Sequence, residues 1–332
     1  MPLAINEAIK RFHEKENVVK TISQLQEKIK QLEAVIASNS KDDSAGDSLD
    51  RKTSAANLIK DMAARLKSGE INLPTYPDIC SRFKEAVQAG ESLQELSSML
   101  EKDPGISSKI ISVSNSVQYK GMAPVKTLEQ AIGRIGITEA RNYVELIANR
   151  SLYASSGERH KAYLETLWQH SLACAYACRE LAKMFSGSDP TEMFAMGLFH
   201  DIGELLLIQI ISELESKGAY ENAVSDIDLR GFLDKHHGQF GAALMRKWKL
   251  AEEFQQAAQW HEDLENAPAI TPALLITNLG DQIVKSLGYG EQKPGDLPIS
   301  ESKAVSALNI DDAAIEKIKE SVSKLMEVGA VI

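Results

Sequence analysis

Met193-Phe194-Ala195-Met196-Gly197-Leu198-Phe199-His200-Asp201-Ile202-Gly203-Glu204 is the stretch on which the fold turns. Its first half is an apolar helix, and that helix ends on an adjacent histidine and aspartate. Burying two such side chains in an apolar setting is costly unless they find partners. Neutral imidazole and carboxylate are also ligands that suit divalent first-row metals, and their adjacency lets both face one ion from a helix end.

Other candidates lie on either side of this pair. His170 comes thirty residues earlier, in Leu167-Trp168-Gln169-His170-Ser171. Downstream, His237 lies in His236-His237-Gly238-Gln239-Phe240-Gly241, and His261 follows Ala257-Ala258-Gln259-Trp260. Asp281 is read as closing the apolar helix Leu274-Leu275-Ile276-Thr277-Asn278-Leu279-Gly280. A lone buried histidine is more often a hydrogen-bonded core residue than a ligand. Several in one helical half shift the balance toward a metal site that could activate a water against a phosphodiester. His170, Cys174 and Cys178 also share a helix face at i, i+4 and i+8. A thiolate site is conceivable there, but with Ala173, Ala175 and Ala177 around them we read the cysteines as small core residues.

Helical periodicity runs through nearly all of the chain, and strand alternation is almost absent, so the fold class is all-α. Ser92 with Glu95 and Thr127 with Gln130 read as capping boxes, and Asp311 as the cap of a terminal helix carrying Ile315, Ile318 and Val322. Val18, Ile22, Leu25, Ile29, Leu32 and Ile36 are spaced 4, 3, 4, 3 and 4 apart, an a/d seam. Residues 18–36 therefore predict either a parallel homodimeric coiled coil or one amphipathic helix packed on its own domain. The polar, turn-rich run at 38–54 reads as a linker.

Composition narrows the function classes. With 37 basic and 47 acidic residues the net charge is -10, which opposes direct contact with nucleic acid. Three cysteines make no disulfide framework and suit a reducing compartment. The N-terminus does not read as a signal peptide. The longest apolar stretch, Leu205–Ile211, contains Gln209 and is too short to span a bilayer. A cytoplasmic protein without membrane insertion is expected.

The order His170, His200-Asp201, Asp281 resembles the HD superfamily of metal-dependent phosphohydrolases. His237 and His261 fall where its two-metal members, among them the HD-GYP cyclic di-GMP phosphodiesterases, carry further histidines. The upstream half resembles one branch, the HDOD (HD-related output) domain family. Leu73-Pro74-Thr75-Tyr76-Pro77 is similar to that family's Leu-Pro-x-x-Pro motif. Asp103-Pro104-Gly105, Asn115-Ser116, Leu128-Glu129-Gln130-Ala131-Ile132 and Ile135-Gly136-Ile137 follow its order, as does Trp248 before Leu250. The resemblance covers about residues 70–285.

The resemblance implies a helical bundle at about 55–154 followed by an HD-like bundle at about 160–285. The chain would then carry a coiled-coil-like helix at 1–37, the linker at 38–54 and a helical extension at 286–332 packed on the module. It implies a divalent ion (Fe, Mn, Zn or Mg) on His170, His200, Asp201, His237, His261 and Asp281. It implies a signalling output, relayed through contacts with another signalling protein and without turnover. Two alternatives stay open: a metal-dependent phosphohydrolase or cyclic-dinucleotide phosphodiesterase, and a cyclic-nucleotide receptor that binds without cleaving. The chain departs from the enzymes at Glu204, where HD-GYP members usually have Lys, and at Glu262, where family members commonly show a second His. The Gly-Tyr-Pro motif is missing. Glu204 would repel a substrate phosphate, which puts catalysis in doubt more than metal binding.

Overall fold

Short polar side chains start most of the helices, because they accept backbone N–H groups that the first turn leaves without partners. Ser92 and Glu95 form the complete capping box. Thr127 accepts from the Gln130 amide, but the Gln130 side chain takes the N–H of Lys126 rather than that of Thr127, so this box is only half formed. Asp103, Asp189 and Thr271 cap helices whose first residue is proline, where a missing N–H costs nothing. Asp311 accepts from the amide of Ala314 and caps the last helix.

The structure, a computed structural model, describes Met62 and residues 73–119, 121, 123–154, 160–216, 226–290 and 298–329. The coiled-coil-like helix at 1–37, its seam at 18–36 and the linker at 38–54 lie outside the described residues. The helices are α1 (Asp78–Ala89), α2 (Leu93–Leu100), α3 (Pro104–Ser114), α4 (Leu128–Ile135), α5 (Ile137–Arg150), α6 (Lys161–Ala182), α7 (Pro190–Phe199), α8 (Ile202–Ser216), α9 (Asp226–Lys247), α10 (Glu252–Trp260), α11 (Pro272–Ser286), α12 (Lys303–Leu308) and α13 (Asp312–Gly329). Among the described residues there is no strand.

In the first half α1, α3 and α4 lie against α5, and α2 packs on α3 and α4. In the second half α7, α11 and α13 pack on α6, while α8 packs on α9 and α9 on α10. Helix α7 touches both halves, since it also meets α5. The last helix, α13, buries Ile315, Ile318, Val322 and Leu325. Two glycines set the closest helix crossings. A Cβ on Gly197 of α7 would lie 2.5 Å from the Cys174 carbonyl oxygen of α6. A Cβ on Gly203 of α8 would lie 1.9 Å from the His237 carbonyl oxygen of α9. Only a residue without a side chain lets these backbones meet.

Two expectations need correction. Asp281 does not close its helix: α11 continues to Ser286, so Asp281 has a full turn after it, including Lys285. The apolar run is also longer than Leu205–Ile211. Helices α7 and α8 join across His200 and Asp201 into a 27-residue stretch, Pro190–Ser216, with a mean hydropathy of 1.6 in its most apolar window. By length and composition it could cross a membrane, but 89% of that window is buried inside the fold. A helix apolar on every side is what a fully buried core position demands.

Candidate metal centre

Five elements bring the histidines and aspartates together. His170 comes from the middle of α6, and His200 and Asp201 from the turn between α7 and α8. His237 is supplied by α9, His261 by the end of α10 and Asp281 by α11. All six are less than 9% exposed, and His200 is fully buried.

The imidazoles share one orientation. Nδ1 of His170 faces the Tyr289 carbonyl at 2.5 Å, and Nδ1 of His200 faces the Gly197 carbonyl at 2.8 Å. For His237 the carbonyl is that of Leu233, at 3.0 Å, and for His261 those of Ala257 and Ala258, at 3.1 and 3.2 Å. A carbonyl oxygen only accepts, so each ring carries its proton on Nδ1 and turns Nε2 inward. Outer partners of this kind fix the tautomer and orientation of metal-binding histidines.

The inward nitrogens surround two carboxylates. Oδ2 of Asp201 stands 3.2 Å from Nε2 of both His170 and His200. Its Oδ1 stands 3.1 Å from Nε2 of His261 and 3.6 Å from that of His237. Asp281 Oδ1 lies 3.3 Å from His170 Nε2 and 3.8 Å from His200 Nε2. The Nε2 atoms of His170 and His200 are 3.1 Å apart. Two lone pairs cannot face each other at that distance unless a proton or a cation lies between them. Metal bonds of about 2.0–2.2 Å put neighbouring donors roughly 3–3.5 Å apart, so the donor set fits an ion. Asp281 Oδ1 and His261 Nε2 are buried and make no hydrogen bond, which also suits ligand atoms.

The same crowding governs protons when no cation competes. Burial alone would lower His170 and His200, but Cys174 and Asp201, joined by Asp281 at His170, outweigh it and hold both imidazoles well above the usual histidine range. Burial raises Asp201, yet His200 and His170 drive it well below the carboxylate range. Asp281 is likewise depressed, against burial, by Lys285 and His170. An ion here would replace protons on the imidazoles, so its binding must depend on pH.

Charges line the rim. Lys285 Nζ reaches Asp281 Oδ2 at 2.7 Å and Glu262 Oε1 at 2.9 Å. Burial raises Glu262, but His261, Lys285 and His237 together bring it down to about 2. Glu204 accepts from the Tyr163 hydroxyl at 2.6 Å, and its carboxyl is raised by burial and by Asp201. Lys285, Tyr163 and the Tyr289 carbonyl escaped the sequence reading. Of these only Lys285 had a signal, its i+4 spacing from Asp281 on one helix face.

The upstream motif residues lie elsewhere and hold the first half together. Leu73 packs against the core, and the Pro74 carbonyl accepts from the indole of Trp248 at 2.8 Å. Pro77 precedes α1, Asp103 caps α3 and Pro104 is that helix's first residue. Asn115 bridges the end of α3 to Val125: Oδ1 accepts its N–H at 2.8 Å and Nδ2 donates to its carbonyl at 2.9 Å. The Ser116 hydroxyl is buried without a hydrogen bond. Between the halves, Tyr76 sits edge-on to Phe199, ring centroids 6.2 Å apart, and 5.5 Å from Trp248. Its hydroxyl donates to Glu145, a carboxyl raised by its burial.

The profile of the HDOD domain matches residues 73–264. Among solved structures, an HDOD domain protein of unknown function from Geobacter sulfurreducens aligns with a TM-score of 0.63 at 21% identity, over 80% of this chain and 97% of that one. A provisionally named metal-dependent phosphohydrolase from Shewanella amazonensis SB2B aligns with a TM-score of 0.61 at 23% identity, over 81% and 99%. These likenesses speak for the fold. A curated relative, an uncharacterized protein of Treponema pallidum (strain Nichols), is 22% identical over 224 residues, 65% of this chain. The chain spans 42% of that relative's length.

Proposed function

The chain belongs to the HDOD domain family, and from that premise we propose that it is a metal-holding signalling module which relays a change through protein contacts and does not turn over a substrate. One observation carries the reading: four inward-facing imidazoles around two carboxylates, rimmed by Glu204 and Glu262. The inner set suits a divalent ion. The rim does not suit a phosphodiester, because only Lys285 among the rim groups named above is positive and it is held between Asp281 and Glu262. A bound ion would supply Lewis acidity and lower the pKa of a coordinated water. Substrate phosphate would then need positive charge facing it, and Glu204, a carboxyl held by Tyr163, supplies none.

A relay route is supported by the packing. The ion would fix the turn at His200 and Asp201. Phe199, next in the chain, packs on Tyr76 and Trp248, and Tyr76 reaches Glu145 in the first half.

The test is turnover. Protein loaded with manganese, iron or zinc is expected to leave cyclic di-GMP and a generic phosphodiester intact, as wild type and as His200→Ala. Robust wild-type cleavage that disappears in His200→Ala would replace this reading with the metal-dependent phosphohydrolase, for which the complete ligand set speaks. Binding of cyclic di-GMP without cleavage would favour the receptor.

A further inference from the structure

Cys174 follows His170 by one helical turn on α6 and points to the same centre. Its Sγ lies 3.7 Å from His170 Nε2. On one tetrahedral ion with bonds of about 2.0–2.1 Å to nitrogen and 2.3 Å to sulfur, those two atoms would stand roughly 3.5 Å apart. His170, Cys174, His200 and Asp281 each offer one donor atom, and the four atoms lie within 4.8 Å of one another. Asp281 Oδ1 is a second and independent sign of a ligand: it is buried, aimed into this group and makes no hydrogen bond. Cys178, one turn further on, is the contrast. Its Sγ donates to the Ile276 carbonyl at 3.8 Å, the ordinary arrangement for a buried thiol.

We propose that Cys174 is a thiolate ligand of the ion held by His170, His200 and Asp281, so that the centre takes zinc, ferrous iron or cobalt in preference to magnesium or manganese. The proposal rests on the reading that this cluster holds an ion. Softer thiolate and imidazole ligands select zinc, iron and cobalt, whereas carboxylate and water sets suit magnesium and manganese. Coordination forms a metal–sulfur bond and breaks the S–H bond, and the proton leaves to solvent, so no oxidant or reductant takes part. Asp201 Oδ2, 3.2 Å from both imidazole nitrogens, would stand beside these four as a fifth donor.

The experiment is cobalt(II) titration of the full chain after chelation and dialysis. Visible ligand-field bands report that cobalt is bound, and a near-ultraviolet thiolate-to-cobalt charge-transfer band reports that sulfur is a ligand. Both bands are expected in wild type and in Cys178→Ser. Cys174→Ser is expected to keep the ligand-field bands, lose the charge-transfer band and lose at least about tenfold of its preference for zinc over manganese. X-ray absorption of the wild-type zinc protein tests the same point without a variant, and should show a sulfur neighbour at about 2.3 Å. Ligand-field bands without charge transfer, or only nitrogen and oxygen neighbours around zinc, would overturn the thiolate and leave the metal centre standing. If neither cobalt nor zinc binds, the proposal and the metal reading fall together.

Discussion

The indole nitrogen of Trp248 donates a 2.8 Å hydrogen bond to the carbonyl of Pro74, across 174 residues of sequence. This contact pins the Leu-Pro-x-x-Pro segment onto the end of the helix that carries His237. Replacing Trp248 by Phe keeps an aromatic ring against Tyr76 and Phe199 but leaves the carbonyl without its donor. The expected loss is about 1–2 kcal/mol of stability, read as a lower urea midpoint with an unchanged slope. An unchanged midpoint would show that water satisfies Pro74 equally well.

An ion that binds only the folded chain stabilises it, by roughly 2.7 kcal/mol at a hundred times its dissociation constant. Zinc added to chelator-treated protein should therefore raise the melting temperature, and a chelator should reverse the change. Asp201→Asn removes the carboxylate shared by the four imidazoles, and its melting temperature should respond less to zinc. An equal response in both proteins would show that Asp201 does not hold the zinc.

Gly203→Ala tests how the centre is held in place. The new methyl would meet the His237 carbonyl and the Gly241 amide nitrogen, both backbone atoms, at 1.9 and 2.6 Å. Neither can turn aside as a flexible side chain would. We expect a loss of about 3 kcal/mol or more, at the upper end of overpacking effects, and a fall in zinc affinity because α8 and α9 are forced apart. A variant as stable as wild type would mean that these helices have room to separate.

Glu145 has its carboxyl raised by burial, against the lowering effect of its Tyr76 hydrogen bond. The folded chain therefore holds this proton more tightly than the unfolded one. Its contribution to stability is full below the unfolded value, near 4.3, and is lost as pH rises through the raised folded value. Glu204 is shifted in the same direction. Glu145→Gln should flatten the decline in stability as pH rises above the unfolded value, by roughly 1.4 kcal/mol for each unit of separation removed. A slope equal to that of wild type would show that Glu145 does not titrate in this window.

The ligand candidates are legible in the sequence because each histidine or aspartate sits in an apolar helical setting that cannot leave it without a partner. The all-α class and most caps follow from local pattern as well. What local pattern could not supply depends on distant segments meeting. Whether Asp281 ends its helix depended on Gln282 to Ser286, a short run in which Ile283 and Val284 are buried. Helical spacing places Cys174 beside His170, but it cannot say that His200 and Asp281 face the same point from other helices. Tyr163 reaches Glu204 across 41 residues, with no periodicity to announce the pairing.

Of the carbonyls that receive the imidazole Nδ1 protons, four are helical and one is not. Gly197, Leu233 and the Ala257–Ala258 pair belong to α7, α9 and α10, whereas Tyr289 lies beyond the end of α11. Beside it, Gly290 (φ 125°) lies against His170, where a Cβ would come within 2.8 Å of Nδ1. His170 is thus oriented by a carbonyl just past a helix end and its three counterparts by carbonyls within helices. A shift of the Tyr289 carbonyl would therefore slacken the His170 ring alone while the others keep their aim.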